Sequence, residues 1–245
     1  MASTFFGLNI GVSALNSFQV ATNTTANNIA NVKTTGYTRQ SATLTAKDAL
    51  NVTARYGSVG TGVTVTSIKQ QRDLYYDTKY WENNSCYGRY EQKLYYLDQI
   101  QNYFKDNGAS VKGFSSVFSQ MFSDLDTLRS KPSDKTVRNQ FISSAQSLCT
   151  YFNQMSDNLS KLQDDCNEEI RNRVDEINSI SEKISLLNKE INQIETGTGV
   201  EASSLRDERA NLMDNLSKIV NVSYKETPIQ NTNGDNLGGT SFCLF

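Results

Sequence analysis

The chain has 245 residues, 24 Lys and Arg against 26 Asp and Glu, a formal net charge of −2 and 37% hydrophobic residues. That charge makes no field strong enough to select nucleic acid or an anionic membrane, and the thin apolar supply favours an elongated body over a compact sphere. Histidine is absent, which removes Ser–His and Cys–His dyads, His-ligated zinc and any imidazole switch.

From the amino terminus, no charged side chain precedes Lys33, yet Asn9, Asn16, Gln19, Asn23, Asn27, Asn28 and Asn31 interrupt the apolar run. A membrane span needs about 20 mainly apolar residues, and a Sec signal needs a basic start and a continuous apolar stretch. Neither is present, so the chain reads as cytosolic unless exported by another route. Phe5, Leu8, Val12, Leu15, Gln19, Thr22, Ala26 and Ile29 advance by threes and fours along one helical stripe, a coiled-coil seam. A helix without charge on its outer face is expected to pack on every side among similar helices. Gly7, Gly11 and the Asn and Thr residues lower its propensity. Residues 1–32 are therefore expected to be largely disordered in the free monomer and helical on assembly. Gly36 is placed to stop this helix through a left-handed residue.

Residues 37–72 change period. Val63 and Val65 alternate with Thr64 and Thr66, which predicts two or three short strands, with 57–62 as a hairpin turn. The glycines at 57, 60 and 62 lack the Gly-Lys-Ser/Thr ending of a phosphate loop. Helical spacing returns at Leu74, where Tyr87, Tyr90, Leu94, Leu97, Gln101 and Phe104 form a second stripe. Aromatics among basic residues can stack nucleic-acid bases, but Glu82, Glu91 and Asp98 balance the charge and favour helix packing. Asn107-Gly108 breaks this helix; Phe114, Phe118, Met121, Leu125 and Leu128 mark another, closed by Lys131-Pro132-Ser133.

The longest signal follows. Val137, Phe141, Ala145, Leu148, Phe152, Met155, Leu159, Leu162, Cys166, Ile170 and Val174 follow one another by threes and fours. Ile177, Ile184 and Ile191, joined by Ile180, Leu187 and Ile194, continue the stripe. Neither Pro nor Gly occurs between Ser133 and Thr196, and a helix from Asp134 to Glu195 would be roughly 93 Å long. The expected neighbours of this rod are helices at 73–106 and 203–219. Four-residue steps from Leu162 to Val174 act as a stutter in the supercoil. Asp164, Asp165, Glu168 and Glu169 read as a solvated face, with Glu169 and Arg173 paired on it. The scattered Cys86, Cys149, Cys166 and Cys243 form no C-x-x-C pair and read as small buried hydrophobes. Ser204 and Asp207 resemble a capping box for a helix carrying Leu205, Leu212, Leu216 and Ile219. Strand-like sequence then leads to Phe242-Cys243-Leu244-Phe245. The fold is thus expected to be mainly α: an elongated antiparallel helical bundle or coiled-coil rod, with a β-hairpin region after the first helix and the start of a β region at the end. The divisions are 1–36, 37–72, 73–220 and 221–245.

Ala26-Asn27-Asn28-Ile29-Ala30-Asn31-Val32, followed by Thr34-Thr35-Gly36-Tyr37-Thr38-Arg39-Gln40, resembles the amino-terminal signature of bacterial flagellar axial proteins, the rod, hook and hook-associated proteins. Thr35 stands where that family usually has Pro. Ser204-Leu205-Arg206-Asp207-Glu208-Arg209, running on to Val222, is similar to a segment typical of the hook-associated protein 1 family. Members of that family are about twice this long, with a carboxy-terminal helix that pairs with the amino-terminal one, so the sequence looks like a fragment or truncated product. The resemblance implies a structural protein at the junction between hook and filament, exported through the flagellum's own type III apparatus to the extracellular flagellum. It implies other axial proteins as partners (the hook protein and a second junction protein), self-association in a ring and an export chaperone, with neither nucleic acid nor membrane insertion. Leu8, Val12, Leu15, Ala26 and Ile29 would carry subunit packing. Asn28, Ile29, Ala30, Asn31, Gly36, Tyr37, Arg39, Asp207 and Arg209 carry the family motifs. Catalytic, cofactor and metal residues are expected to be none. The alternatives are another rod or hook protein, a free coiled-coil adaptor, which leaves residues 26–40 unexplained, and a flagellum-associated wall hydrolase using a carboxylate pair, for which no acid stands in a recognisable setting.

Overall fold

A computed structural model describes residues 5–51, 57–106, 113–230, 234 and 236–244. The breaker Asn107-Gly108 and the terminal Phe245 lie outside the described residues. In chain order the elements are α1 (Phe6–Ala30), β1 (Gln40–Ala46), β2 (Leu50–Asn51), β3 (Ser58–Val59), β4 (Val63–Gln70), α2 (Leu74–Tyr103), α3 (Phe114–Ser130), α4 (Lys135–Thr198), α5 (Ser203–Ile219), β5 (Tyr224–Gln230) and β6 (Asn236–Leu244). Three antiparallel pairs form: β1 with β4, β2 with β3, and β5 with β6. The mainly α reading holds, and the long helix is continuous over 64 residues. Asp134 starts it, accepting the Thr136 N–H at 2.8 Å on its Oδ1, an Asx cap for donors that the first turn cannot satisfy itself. Ser58–Val59 is a strand paired with Leu50–Asn51 rather than part of the turn expected over 57–62.

The chain divides into two compact units, Met1–Cys86 with Ile177–Phe245, and Tyr87–Glu176. In the first, Trp81, Ile180, Ile184, Met213, Leu216 and Val222 form the buried core. The α4 and α5 helices run antiparallel: Glu195 meets Arg206, and Asn188, one end-to-middle step back, meets Arg209. The Trp81 indole N–H donates to Asp214 Oδ1 at 2.7 Å, and Asn84 Nδ2 donates to Ser217 Oγ at 2.8 Å. These four polar side chains are thus paired beside the core. Burial pushes the Asp214 carboxyl up, although the indole hydrogen bond opposes that shift.

Two details of α4 correct the expected stripe. Ile194 is exposed and Glu195 is buried in its place. The reason is electrostatic: Glu195 takes Arg206 Nε at 2.7 Å and Nη2 at 2.8 Å, a two-pronged pair, and also accepts the Ala202 N–H at 3.1 Å. Glu195 therefore serves the start of α5, where no side-chain cap bond from the helix's own N-cap exists. Asp207 is consequently not half of a capping box; it faces elsewhere, as described below.

In the second unit, Phe114 stacks on Phe118, Phe118 meets Phe122 at 4.7 Å between centroids, and Phe152 of α4 lies 5.9 Å from Phe114. Met155 and Ser144 are buried here, while Ile170 and Val174 of the expected stripe are exposed. Asp164, Asp165 and Glu168 are exposed, while Glu169 is half-buried. It accepts from Tyr96 Oη at 2.5 Å and Gln92 Nε2 at 3.0 Å, while its pair with Arg173 spans 3.5 Å. The α2 stripe is inverted relative to expectation: Tyr87, Tyr90, Leu94 and Leu97 face solvent, and Gly88, Gln92 and Tyr96 lie inward. Gln92 and Tyr96 on the inward side are the residues that reach Glu169 of α4. The cysteines also differ from expectation, since Cys86, Cys149 and Cys243 are exposed and Cys166 is half-buried.

Candidate assembly surface

On α1 the side chains segregate by chemistry, in the opposite sense to a core helix. Leu8, Val12, Leu15 and Ile29 are 62%, 47%, 68% and 68% exposed. Ala26 is exposed with them, and so are Phe18 and Val32, which the stripe reading passed over. The buried residues of the helix are Ser17 and Thr24. They lie against the β1–β4 hairpin, not against another helix, which corrects the expectation of helices on every side. Ser17 Oγ donates to Val63 O at 3.2 Å, and the Val63 N–H reaches Ser13 Oγ at 3.4 Å. Gly62 makes this approach possible: its φ is +111°, and a Cβ there would stand 2.2 Å from Ser13 Oγ.

The motif after the seam is a knot of amide groups. Asn28 grips the first residue of β1 with both ends of its carboxamide, Nδ2 donating to Gln40 O at 2.8 Å and Oδ1 accepting the Gln40 N–H at 3.0 Å. The same Oδ1 accepts Tyr37 Oη–H at 2.8 Å, and Asn27 Nδ2 donates to that phenol at 3.2 Å. Asn31 closes α1 as its C-cap, with Nδ2 donating to Asn27 O at 3.0 Å. The helix therefore ends before Gly36, and Gly36 does not stop it. With φ +77° Gly36 instead carries the chain past α5, where a Cβ would stand 1.7 Å from Asn211 Oδ1. Next to it, the Thr38 N–H donates to Asp207 Oδ2 at 3.3 Å. Burial first, and the charge of Asp207 second, push the Tyr37 phenol up.

The two motifs thus meet in one place. Of the motif residues, Asn28, Asn31, Gly36, Tyr37 and Asp207 build the knot, while Ile29, Ala30 and Arg39 are exposed around it. An open cleft of about 570 Å³ lies beside it, lined in part by Ala21, Thr25, Ile29, Val32, Tyr37 and Arg39. Arg209 is buried and looks to the other side of α5. Its Nη1 donates to Asn188 Oδ1 at 2.9 Å, its Nη2 lies 3.4 Å from Glu226, and its guanidinium sits 4.2 Å over the Phe242 ring. Arg206 joins Glu195 to Glu226, and Thr240 Oγ1 donates to Glu226 at 2.6 Å. This network, which bolts β5 and β6 to the helices, left no mark in the sequence spacing beyond Arg206 and Arg209 standing inside the second motif. Burial alone would raise the Glu226 carboxyl, but the Thr240 hydrogen bond and the charges of Arg206 and Arg209 hold it below its ordinary range. Burial lowers Arg209.

Chemically the surface offers apolar side chains and amides for packing. Among the described residues no group of three or more Cys, Asp or Glu is placed to hold a metal ion, and no helix is long and apolar enough to cross a membrane.

Residues 97–235 match the family model described as the flagellar hook-associated protein FlgK helical domain, and residues 8–38 match that of the flagella basal body rod protein. The chain is 33% identical over 234 residues to flagellar hook-associated protein 1 of Bacillus subtilis, covering 93% of this chain and 46% of that protein. It is 32% identical to the Salmonella typhimurium protein of the same name, covering 88% of this chain and 38% of the relative. Against the Escherichia coli protein of that name the identity is 29%, with 88% and 39% covered. The chain spans less than half the length of these relatives.

Proposed function

We propose a structural role for this chain, which belongs to the flagellar hook-associated protein FlgK family: it is a non-enzymatic subunit of the bacterial flagellum that joins hook to filament by helix packing. The observation that carries the reading is the exposed seam of α1. Leu8, Val12, Leu15 and Ile29 stand in solvent at coiled-coil spacing on a helix whose polar face is already used, an arrangement that rewards only a helical partner. In the assembled state the Asn28–Tyr37–Gln40 knot holds that helix at a set angle to its hairpin, so the seam is presented in one direction. The partners on this reading are other flagellar axial proteins, the hook protein and a second junction protein among them, and further copies of the chain in a ring. The route is the flagellar export apparatus with an export chaperone, and the location is the extracellular flagellum.

The test is co-sedimentation of the chain with isolated hooks. The unaltered chain should pellet with them. A Leu8→Asp/Leu15→Asp variant should remain in the supernatant while keeping the melting temperature of the unaltered chain, since both positions are exposed. Equal pelleting of the variant, or no pelleting of either, would overturn the reading.

A further inference from the structure

The inward row of α1 is small and polar: Ser13, Ser17, Thr24 and Asn28, in steps of four, seven and four. At two places this row meets the hairpin through main-chain groups. At one end the Val63 N–H reaches Ser13 Oγ at 3.4 Å, and Val63 O accepts the Ser17 hydroxyl at 3.2 Å. Ser17 Oγ also lies 2.8 Å from Ser13 O, so its proton keeps an acceptor when this contact opens. At the other end Asn28 holds both the N–H and the carbonyl of Gln40. Val63 stands opposite Ala46 and Gln40 opposite Gln70, the two ends of the β1–β4 ladder. The lengths agree. From the middle of the serine pair to Asn28, α1 rises roughly 20 Å at about 1.5 Å per residue. From Ala46 to Gln40, β1 covers roughly 20 Å at about 3.4 Å per residue. Thr24, between the two contacts, gives its hydroxyl to Val20 O at 2.9 Å and selects no register.

We propose that Ser13, Ser17 and Asn28 are positioning residues for assembly. As two main-chain clamps they fix a single axial register of α1 on its hairpin, and Gly62 gives the first clamp its room. A slip of one helical turn in either direction destroys the match. Moved one way, Ala21 and Val32 take the places of Ser17 and Asn28; moved the other, Asn9 and Thr24 take those of Ser13 and Asn28. Neither Val32 nor Thr24 carries the carboxamide that serves a donor and an acceptor at once. At position 62 a Cβ would stand 2.2 Å from Ser13 Oγ and push the helix away. A helix that could settle at several heights would bind a partner less tightly at each; the clamps leave it one. This role rests on the reading of α1 as the helix that packs against the hook.

The experiment is co-sedimentation with isolated hooks, with Leu8→Asp/Leu15→Asp as the seam control. Melting temperature checks the core, which lies elsewhere, around Trp81 and Met213, and should hold in every variant. Asn28→Asp keeps the size and the acceptor but sets a carboxylate oxygen against Gln40 O. It should weaken hook binding about tenfold, the size of one lost hydrogen bond. Gly62→Ala should weaken it about as much, by forcing α1 off the hairpin. Adding Ser13→Ala to Gly62→Ala removes the clashing hydroxyl and should return binding to within about threefold of the parent. That rescue separates positioning from misfolding, because a second loss does not refold a chain. The clamps are refuted, and the seam reading stands, if the seam control stays in the supernatant while Asn28→Asp or Gly62→Ala pellets as the parent does. The same holds if Ser13→Ala fails to relieve the loss caused by Gly62→Ala. A seam control that pellets as the parent does, or a parent that stays in solution, overturns both.

Discussion

Asp207 of α5 accepts the main-chain N–H of Thr38 at 3.3 Å, although 169 positions separate the two residues in sequence. One bond thus ties the motif that follows α1 to the motif that opens α5. Gly36 lies at the same contact, in the left-handed region against Asn211. Gly36→Ala should destabilise the chain by about 2 kcal/mol, through backbone strain and a clash with Asn211. Combining it with Asn211→Ala should relieve the clash and leave the strain, a non-additive result in a double-mutant cycle measured by urea unfolding. Full additivity would show that the two residues do not compete for space.

Ile184 is 3% exposed within the Trp81–Met213–Leu216 cluster. Ile184→Asp should cost about 3–5 kcal/mol, because it places an unpaired charge among apolar side chains. The same substitution at Ile194, which is exposed, should cost less than about 1 kcal/mol. Thermal melting of the two variants checks both the stripe and its correction.

Glu226 titrates below its ordinary 4.5. A carboxylate lowered by folding adds stability that is complete above its unfolded value and is lost as pH falls through the folded one. Glu201 and Asp214 are raised by burial, so their contributions run the other way, and acidification relieves them. Glu226→Gln should therefore lower stability at neutral pH and make the remaining loss between about pH 5 and pH 3 shallower. Parallel acid limbs for variant and parent, followed by denaturant midpoints, would refute the assignment.

Residues Leu8–Ile29 should exchange their amide hydrogens far faster than Ile170–Ile191 in the dilute chain. Ordering a residue costs about 1–2 kcal/mol of backbone entropy, and α1 buries only Ser17 and Thr24 in return. Hydrogen exchange with mass-spectrometric readout decides it: comparable protection of the two segments would mean that α1 folds without a partner.

The sequence by itself determined what depends on local geometry. Uninterrupted helical spacing from Val137 to Ile191 specified one long helix, because no Pro or Gly offered a place to end it. Alternation at Val63–Thr66 specified a strand, and the threes-and-fours spacing of α1 specified a helix, whose seam of large residues lies exposed. The motifs lie in α1 with the segment after it and in α5, and the spacing carried no sign that they touch. Only the tertiary structure decided which stripe of each helix is covered. Spacing identifies a row of large residues without showing whether anything lies over it. On α2 the row is exposed because Gln92 and Tyr96 bind Glu169 on the opposite side, and on α4 Glu195 displaces Ile194 from the interior because Arg206, eleven residues on, supplies its counter-charge. The pairing of buried charges and amides across the chain is a long-range choice, and a one-dimensional pattern of hydrophobicity carries no record of it.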